Sequence, residues 1–294
     1  MRFATLKHHD REVLAVRRGD RLIPVQVINE SMDTDWPATF DDLFNEYRFF
    51  EFRDAVAKLS DEQWKELSAN GIEADRARFG PLCRHPGKIW GIGLNYREHA
   101  DELDETTPLG IPGSFMKPAT TIIGPGDWIH IPVMSEKTTG EAELGVVIGR
   151  ECRNVSQDDW LSVVAGFTTI IDMTAEDILR QNVRYLTLSK SFDTFFSFGP
   201  YLITPDEIDD IMDLKVTTII NDRPHASNSV SNMTFPPDFL VSYHSRVMTL
   251  QPGDIISTGT PGAVKLEEGD RIECWIDGFE PLKNPVRDLK SDVL

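Results

Sequence analysis

Cysteine is scarce. Cys83, Cys152 and Cys274 are the three in 294 residues, scattered and odd in number. No Cys-x-x-Cys pair or Cys/His ligand spacing accompanies them, which argues against structural zinc. A reducing, cytoplasmic setting is the simplest one for such a chain. Long apolar runs are missing too, and no stretch approaches membrane-spanning length. Met1 to Thr5 lead straight into a strand-like pattern, without the apolar core of a secretory signal. Basic residues are in deficit: 30 Lys and Arg against 48 Asp and Glu leave a net charge of −18. That balance argues against nucleic acid and membrane surfaces as partners. It leaves a small anionic substrate open, because one metal ion and a few basic groups reverse the field locally. The Gly-containing turn Thr258-Gly259-Thr260-Pro261-Gly262 lacks the Lys of a phosphate loop, which speaks against a nucleotide.

What is present is an ordinary globular composition, 40 % hydrophobic and 27 % charged, long enough for one large domain or a small one plus a larger one. Residues 1 to about 28 alternate apolar and polar around a turn at Arg18-Gly19-Asp20, as short antiparallel strands do. Two helices are expected next. Thr39 with Asp42 and Ser60 with Gln63 have capping-box spacing, and Asn70-Gly71 offers a left-handed stop. A Pro/Gly-rich passage from Pro81 to Gly87 puts the domain boundary near residue 80, giving residues 1–80 and 81–294. From Lys88 onward strand-like runs dominate: Ile89–Leu94, Thr121–Ile123, Leu144–Ile148, Val216–Ile220, Ile255–Thr258 and Arg271–Ile276. Helices are expected near Ser156, from Thr174 and over Pro237–Met248. The pattern is a β-rich α+β fold rather than a regular βαβ alternation. Asp101 to Gly113 reads as a mobile loop.

Three carboxylates carry the chemistry. Glu141 and Glu143 flank Ala142 at the head of the apolar run Leu144–Gly149. Side chains two apart on a strand share a face. Two bare acids beside a sheet core are costly to bury, and a divalent metal would remove the cost. Asp172 closes a second apolar run, Phe167–Ile171, and would supply a third oxygen. Mg²⁺ and Mn²⁺ take such ligands. Alone, each acid also reads as a solvated strand edge or a helix cap; the combination favours metal.

His99 and Glu102 lie three apart, so on a helix they share a face and make a general-base pair; a surface pair is the plainer alternative. Lys190, between Ser189 and Ser191, offers a fixed cation for a developing enolate or oxyanion, or a surface partner for Asp193. Lys117 allows the same two readings. The hydroxyls of Thr258 and Thr260 can hold a carboxylate or phosphate, or merely build a turn.

These stretches, in this order, resemble the fumarylacetoacetate hydrolase family. The matching residues are Gly93-Leu94-Asn95-Tyr96 with His99 and Glu102; Phe115 with Lys117-Pro118; Glu141-Ala142-Glu143-Leu144 with Val146-Val147-Ile148-Gly149; Asp172; Lys190 with Phe192-Asp193-Thr194; Gly199-Pro200; Pro252-Gly253-Asp254-Ile255-Ile256; and Thr258-Gly259-Thr260-Pro261. The resemblance spans roughly residues 88 to 287. It implies a mixed β-sandwich roll with a small N-terminal α+β domain. It also implies Mg²⁺ or Mn²⁺ on Glu141, Glu143 and Asp172, and a homodimer. Members act on 2-oxo or 1,3-dioxo acids. Some cleave a carbon–carbon bond with water, as acylpyruvate and fumarylpyruvate hydrolases do; others decarboxylate or tautomerise oxaloacetate, or isomerise oxo-diacids. By the same resemblance His99, Glu102 and Lys190 are catalytic, and Asn95, Tyr96, Lys117 and Thr260 bind substrate.

One departure stands out. Many members follow the metal Asp, four and seven residues on, with an Arg and a Gln that hold the substrate. Here those places are Glu176 and Leu179. Arg180 lies one helical turn beyond Glu176 and takes the substrate-binding role in this reading.

Overall fold

The computed structural model describes residues 1–8, 11–97 and 110–292. Its first strands are β1 (Arg2–His8), β2 (Arg11–Arg18), β3 (Arg21–Pro24) and β4 (Ile72–Glu73). There follow β5 (Ile89–Gly93), β6 (Gly113–Lys117), β7 (Ile122–Ile123), β8 (Ile129–Ile131), β9 (Thr138–Ile148) and β10 (Val164–Ala175). The remainder are β11 (Phe196–Phe198), β12 (Tyr201–Ile203), β13 (Lys215–Ile220), β14 (Arg223–Ser229), β15 (Ile255–Ser257), β16 (Ala263–Lys265), β17 (Arg271–Ile276) and β18 (Leu282–Asp288).

Two sheets result. The larger runs β4-β3-β2-β1-β12-β10-β9-β15-β5-β6, with β11, β7 and β16 off that path. The smaller runs β14-β13-β17-β18-β8. Every residue of β9 and β10 is buried, so these two long strands are covered on both faces. This is the β-rich α+β architecture expected. The sheet does not break at residue 80, because β1 pairs with β12 through Ala4 and Tyr201. One core cluster likewise joins Phe3, Leu14 and Phe49 of the N-terminal segment to Val147, Ile170 and Phe196.

Local signals explain part of this. The Thr39 hydroxyl caps the helix Phe40–Asn45 at Asp42 N, and Ser60 with Gln63 forms a full capping box on the helix Asp61–Ala69. Other expectations give way. Val25–Met32 is helical, not the tail of a strand, and the aromatic-rich helix Phe49–Ala57 buries Phe49 and Phe52 without any side-chain cap. Asn70 has φ −103°, so the stop there is not left-handed. Near Ser156 only the single 3₁₀ turn Trp160–Val163 forms. Thr174 does not start a helix: β10 continues through Ala175, and the helix is Glu176–Gln181. The helix Pro237–Val247 agrees with expectation. No described helix is long and apolar enough to cross a membrane.

Candidate metal and substrate site

β9 and β10 form one antiparallel ladder in which Asp172 faces Glu141, Thr174 faces Thr139, and Ala175 faces Thr138. Alternation along a strand then puts Glu143, Glu141 and Thr139 on the same face as Asp172 and Thr174. Ligand oxygens of Glu141, Glu143 and Asp172 all lie within 4.8 Å of one another. The three residues are only 9 %, 2 % and 1 % exposed. Three negative charges converge where water scarcely reaches, which requires compensation.

Two ammonium groups supply some of it. Lys190, at the end of the helix Leu186–Lys190, places Nζ 2.6 Å from Asp172 Oδ2 and 3.1 Å from Glu141 Oε2. Lys117, on edge strand β6, donates to Asp172 Oδ1 at 2.5 Å and to the Met173 carbonyl at 3.1 Å. The Phe115 ring lies 4.7 Å below Lys190 Nζ, a cation–π contact. Burial opposes the Lys190 charge, but Asp172 and Glu141 outweigh it and hold the ammonium above its ordinary pKa. Burial wins at Lys117, whose pKa falls to about 8. Asp172 is held below the usual carboxylate range, because Lys117 and Lys190 overcome the opposing effect of burial. Among the described residues Glu143 has no ammonium in contact; burial, then the charges of Asp172 and Glu141, push it up to about 8. The all-oxygen donor set and its uncompensated acid fit a hard divalent cation.

The carboxylates are also aimed. Thr174 Oγ1 donates to Glu141 Oε1 at 2.9 Å. Ser257 Oγ and the Gly259 amide donate to Glu143 Oε2 at 2.5 and 2.8 Å. Gly259 has φ +96°, and a Cβ there would sit 2.7 Å from Asn95 Cβ. Glycine at this position is what brings the amide to the acid.

A cavity of about 380 Å³ opens on this cluster. Glu141, Glu143, Thr139, Thr174, Lys190 and Thr260 form its polar floor, while Leu94, Phe115, Leu179, Val183 and Leu186 supply apolar walls. Glu176 and Arg180 line it as well. Thus Glu141, Glu143, Asp172, Lys117 and Lys190 are brought together, and Thr260 and Arg180 reach the same cavity. Asn95 does not stand free for a substrate. It is fully buried, its Nδ2 donates to the carbonyls of Phe235 and Thr258, and its Oδ1 accepts from Phe235 N. Tyr96 is fully buried in the larger core cluster. Asn95 therefore braces the loop at Thr258 and Gly259, and Tyr96 packs in the core; neither lines the cavity. His99, Glu102 and most of the stretch expected to be a mobile loop lie outside the described residues. Sequence reasoning missed Thr174 and Ser257 as carboxylate donors and Lys137 beside Glu176. Thr174 could have been found from its period-2 spacing to Asp172; nothing local marks Lys137.

Fold, floor and cavity together define the class. Residues 88–287 match the model of the fumarylacetoacetate (FAA) hydrolase C-terminal domain. The chain belongs to the fumarylacetoacetate hydrolase family, whose members are enzymes. An uncharacterized protein of Archaeoglobus fulgidus is 42 % identical over 209 residues, 71 % of this chain and 82 % of that one. The mitochondrial oxaloacetate tautomerase Fahd2a of Rattus norvegicus is 35 % identical over 216 residues, covering 71 % of this chain and 68 % of its own. The crystal structure of maleylpyruvate hydrolase from Sphingobium sp. SYK-6 in complex with manganese (II) ion and pyruvate has a TM-score of 0.79 to this fold. Its identity is 28 %, covering 98 % of this chain and 99 % of that one. The manganese in that neighbour and the buried acid trio here point to a divalent-metal site.

Proposed function

We propose that the protein is a Mg²⁺- or Mn²⁺-dependent enzyme that cleaves a carbon–carbon bond of a 2-oxo or 1,3-dioxo acid with water, as acylpyruvate and fumarylpyruvate hydrolases do. The observation that carries this reading is the oxygen-only trio Glu141, Glu143 and Asp172, buried together with Lys117 and Lys190 in contact. These three residues would hold the ion, which when bound acts as a Lewis acid on the oxygens of the substrate's 2-oxo acid end.

The chain's own groups do the rest. Lys117 fixes one oxygen of Asp172 and the adjoining strand end. Lys190, kept charged by its two carboxylates, cannot serve as a base; it offers positive potential to an oxygen that gains negative charge. Thr260 Oγ1, already hydrogen-bonded to Gly262, lines the cavity beside Glu143. Glu102 orients His99, and His99 takes a proton from water as the oxygen attacks the distal carbonyl. The bond between that carbonyl carbon and the neighbouring methylene breaks. Its electron pair leaves with the pyruvate half, which then takes up a proton, so acylpyruvate and water give a carboxylic acid and pyruvate.

Turnover of an acylpyruvate panel with Mn²⁺, lost in Glu141→Ala and reduced about 10²–10⁴-fold in His99→Ala, tests this. A second reading is tautomerisation or decarboxylation of oxaloacetate at the same site, and the 35 % identity to an oxaloacetate tautomerase favours the tautomerisation. Turnover of oxaloacetate alone would select it over hydrolysis. A homodimer and a cytoplasmic setting complete the reading. The free thiols of Cys83, Cys152 and Cys274 support the latter, and light scattering in solution checks the former.

A further inference from the structure

Glu176 opens the short helix behind Asp172 and lines the same cavity. A lone carboxylate there would repel an anionic substrate, but this one is not alone. Its Oε1 accepts from Arg180 Nε at 2.6 Å, and its Oε2 receives Lys137 Nζ at 2.8 Å. Both oxygens are occupied. Burial raises the acid's pKa, yet the bonds to Lys137 and Arg180 prevail and keep it below its ordinary value.

The bond to Arg180 uses Nε. Among the described residues the two Nη nitrogens have no partner, while the side chain lines the cavity. A guanidinium gripped at Nε has its fork fixed in direction, which is the condition for bidentate capture of a carboxylate. Its neighbours on that wall, Leu179, Val183 and Leu186, are apolar.

We infer that Glu176 is a positioning residue that aims Arg180 at a second substrate carboxylate, so that the site selects 2-oxo diacids over 2-oxo acids with an apolar end. The inference rests on the metal-site reading above and specifies the substrate class of that site.

Calorimetry on Mn²⁺-loaded full-length protein tests it with matched acids. 2-Oxoglutarate and 2-oxopentanoate differ only in a terminal carboxylate against a methyl group, as do 2-oxoadipate and 2-oxohexanoate. Oxalate serves as the control for the metal-binding end. The wild type should bind at least one diacid about tenfold or more tighter than its matched monoacid. Arg180→Leu should erase that preference and leave oxalate affinity within about twofold. Glu176→Gln should also lower the preference several-fold; if Glu176 merely repelled anions, the same change would tighten diacid binding and overturn the assignment. Arg180→Lys, which keeps the charge but cannot form the Nε bond, should restore little of the preference, and full restoration would remove the positioning role. Equal affinity within both pairs, with oxalate bound, defeats this inference alone. Failure of oxalate to bind the wild type defeats the metal-site reading together with it.

Discussion

The floor and the wall of the cavity are built differently. The floor acids stand on two long strands whose every residue is buried, at positions set by ladder register. The wall is a six-residue helix without a side-chain cap, held by Glu176, Lys137 and a half-exposed Arg180. Moving a floor acid means breaking the middle of a sheet. Changing the wall at Lys137 or Arg180 means changing exposed side chains, which costs little stability. On the proposed reading, reaction chemistry stands where the fold resists alteration, and substrate choice where it tolerates it.

The comparison is open to test, and substitutions in the floor should have the largest effects. Asp172→Asn removes the charge shared by Lys117 and Lys190 and should abolish measurable turnover. It should also cost about 3–5 kcal/mol in urea unfolding, because buried Lys117 loses its carboxylate and Lys190 one of its two. Retained stability near wild type would mean the floor is not an ionic unit. Lys190→Met keeps the volume and removes the charge; turnover should drop about 10²–10³-fold while Mn²⁺ still binds, as steady-state kinetics and metal titration would show. Gly259→Ala acts one step away. Its positive φ and the nearby Asn95 Cβ predict a loss of about 1–3 kcal/mol, read from thermal or chemical denaturation.

Wall substitutions come last. Arg180→Leu should leave stability within about 1 kcal/mol while changing ligand preference. A stability loss as large as that of Asp172→Asn would erase the distinction between the two regions. The wall also predicts a small pH effect. Glu176 has a folded pKa below its unfolded one, so its stabilisation is present above the unfolded value and fades as pH falls through the folded one. Acid unfolding of Glu176→Gln should therefore be shallower in that window than that of the wild type.

The floor was legible in the sequence because its signal is local. Glu141 and Glu143 sit two apart beside an apolar run, and period two means one face. The caps at Thr39 and Ser60 were legible for the same reason: each needs only a partner three residues on. What escaped depends on distant contacts. Thr174 has the look of a helix start, but pairing with Thr139 extends β10 past it and gives its hydroxyl to Glu141. The resemblance assigns Asn95 to the substrate, yet its amide is taken by Phe235 and Thr258, far along the chain. At Ser156 the hydroxyl does bond Asp159, but β10 begins at Val164 and leaves space for one 3₁₀ turn rather than a helix. Glu176 is repulsive by sequence and neutralised by structure, since Lys137 reaches it only through the ladder.

That last contact has a geometric consequence. The Glu176 amide bonds the Lys137 carbonyl at 2.9 Å, so the pair adds one more rung to the β9–β10 ladder just beyond Ala175 and Thr138. Asp172 and Glu176 are then four steps apart along nearly extended chain, a span of at most roughly 13 Å. The ladder works as a ruler, with the chelating acids at one mark and the anchor of the guanidinium at another. If the site takes diacids as proposed, their preferred length is counted in rungs. Inserting or deleting a pair of residues between the marks would shift the preferred length without touching a single group that performs the chemistry.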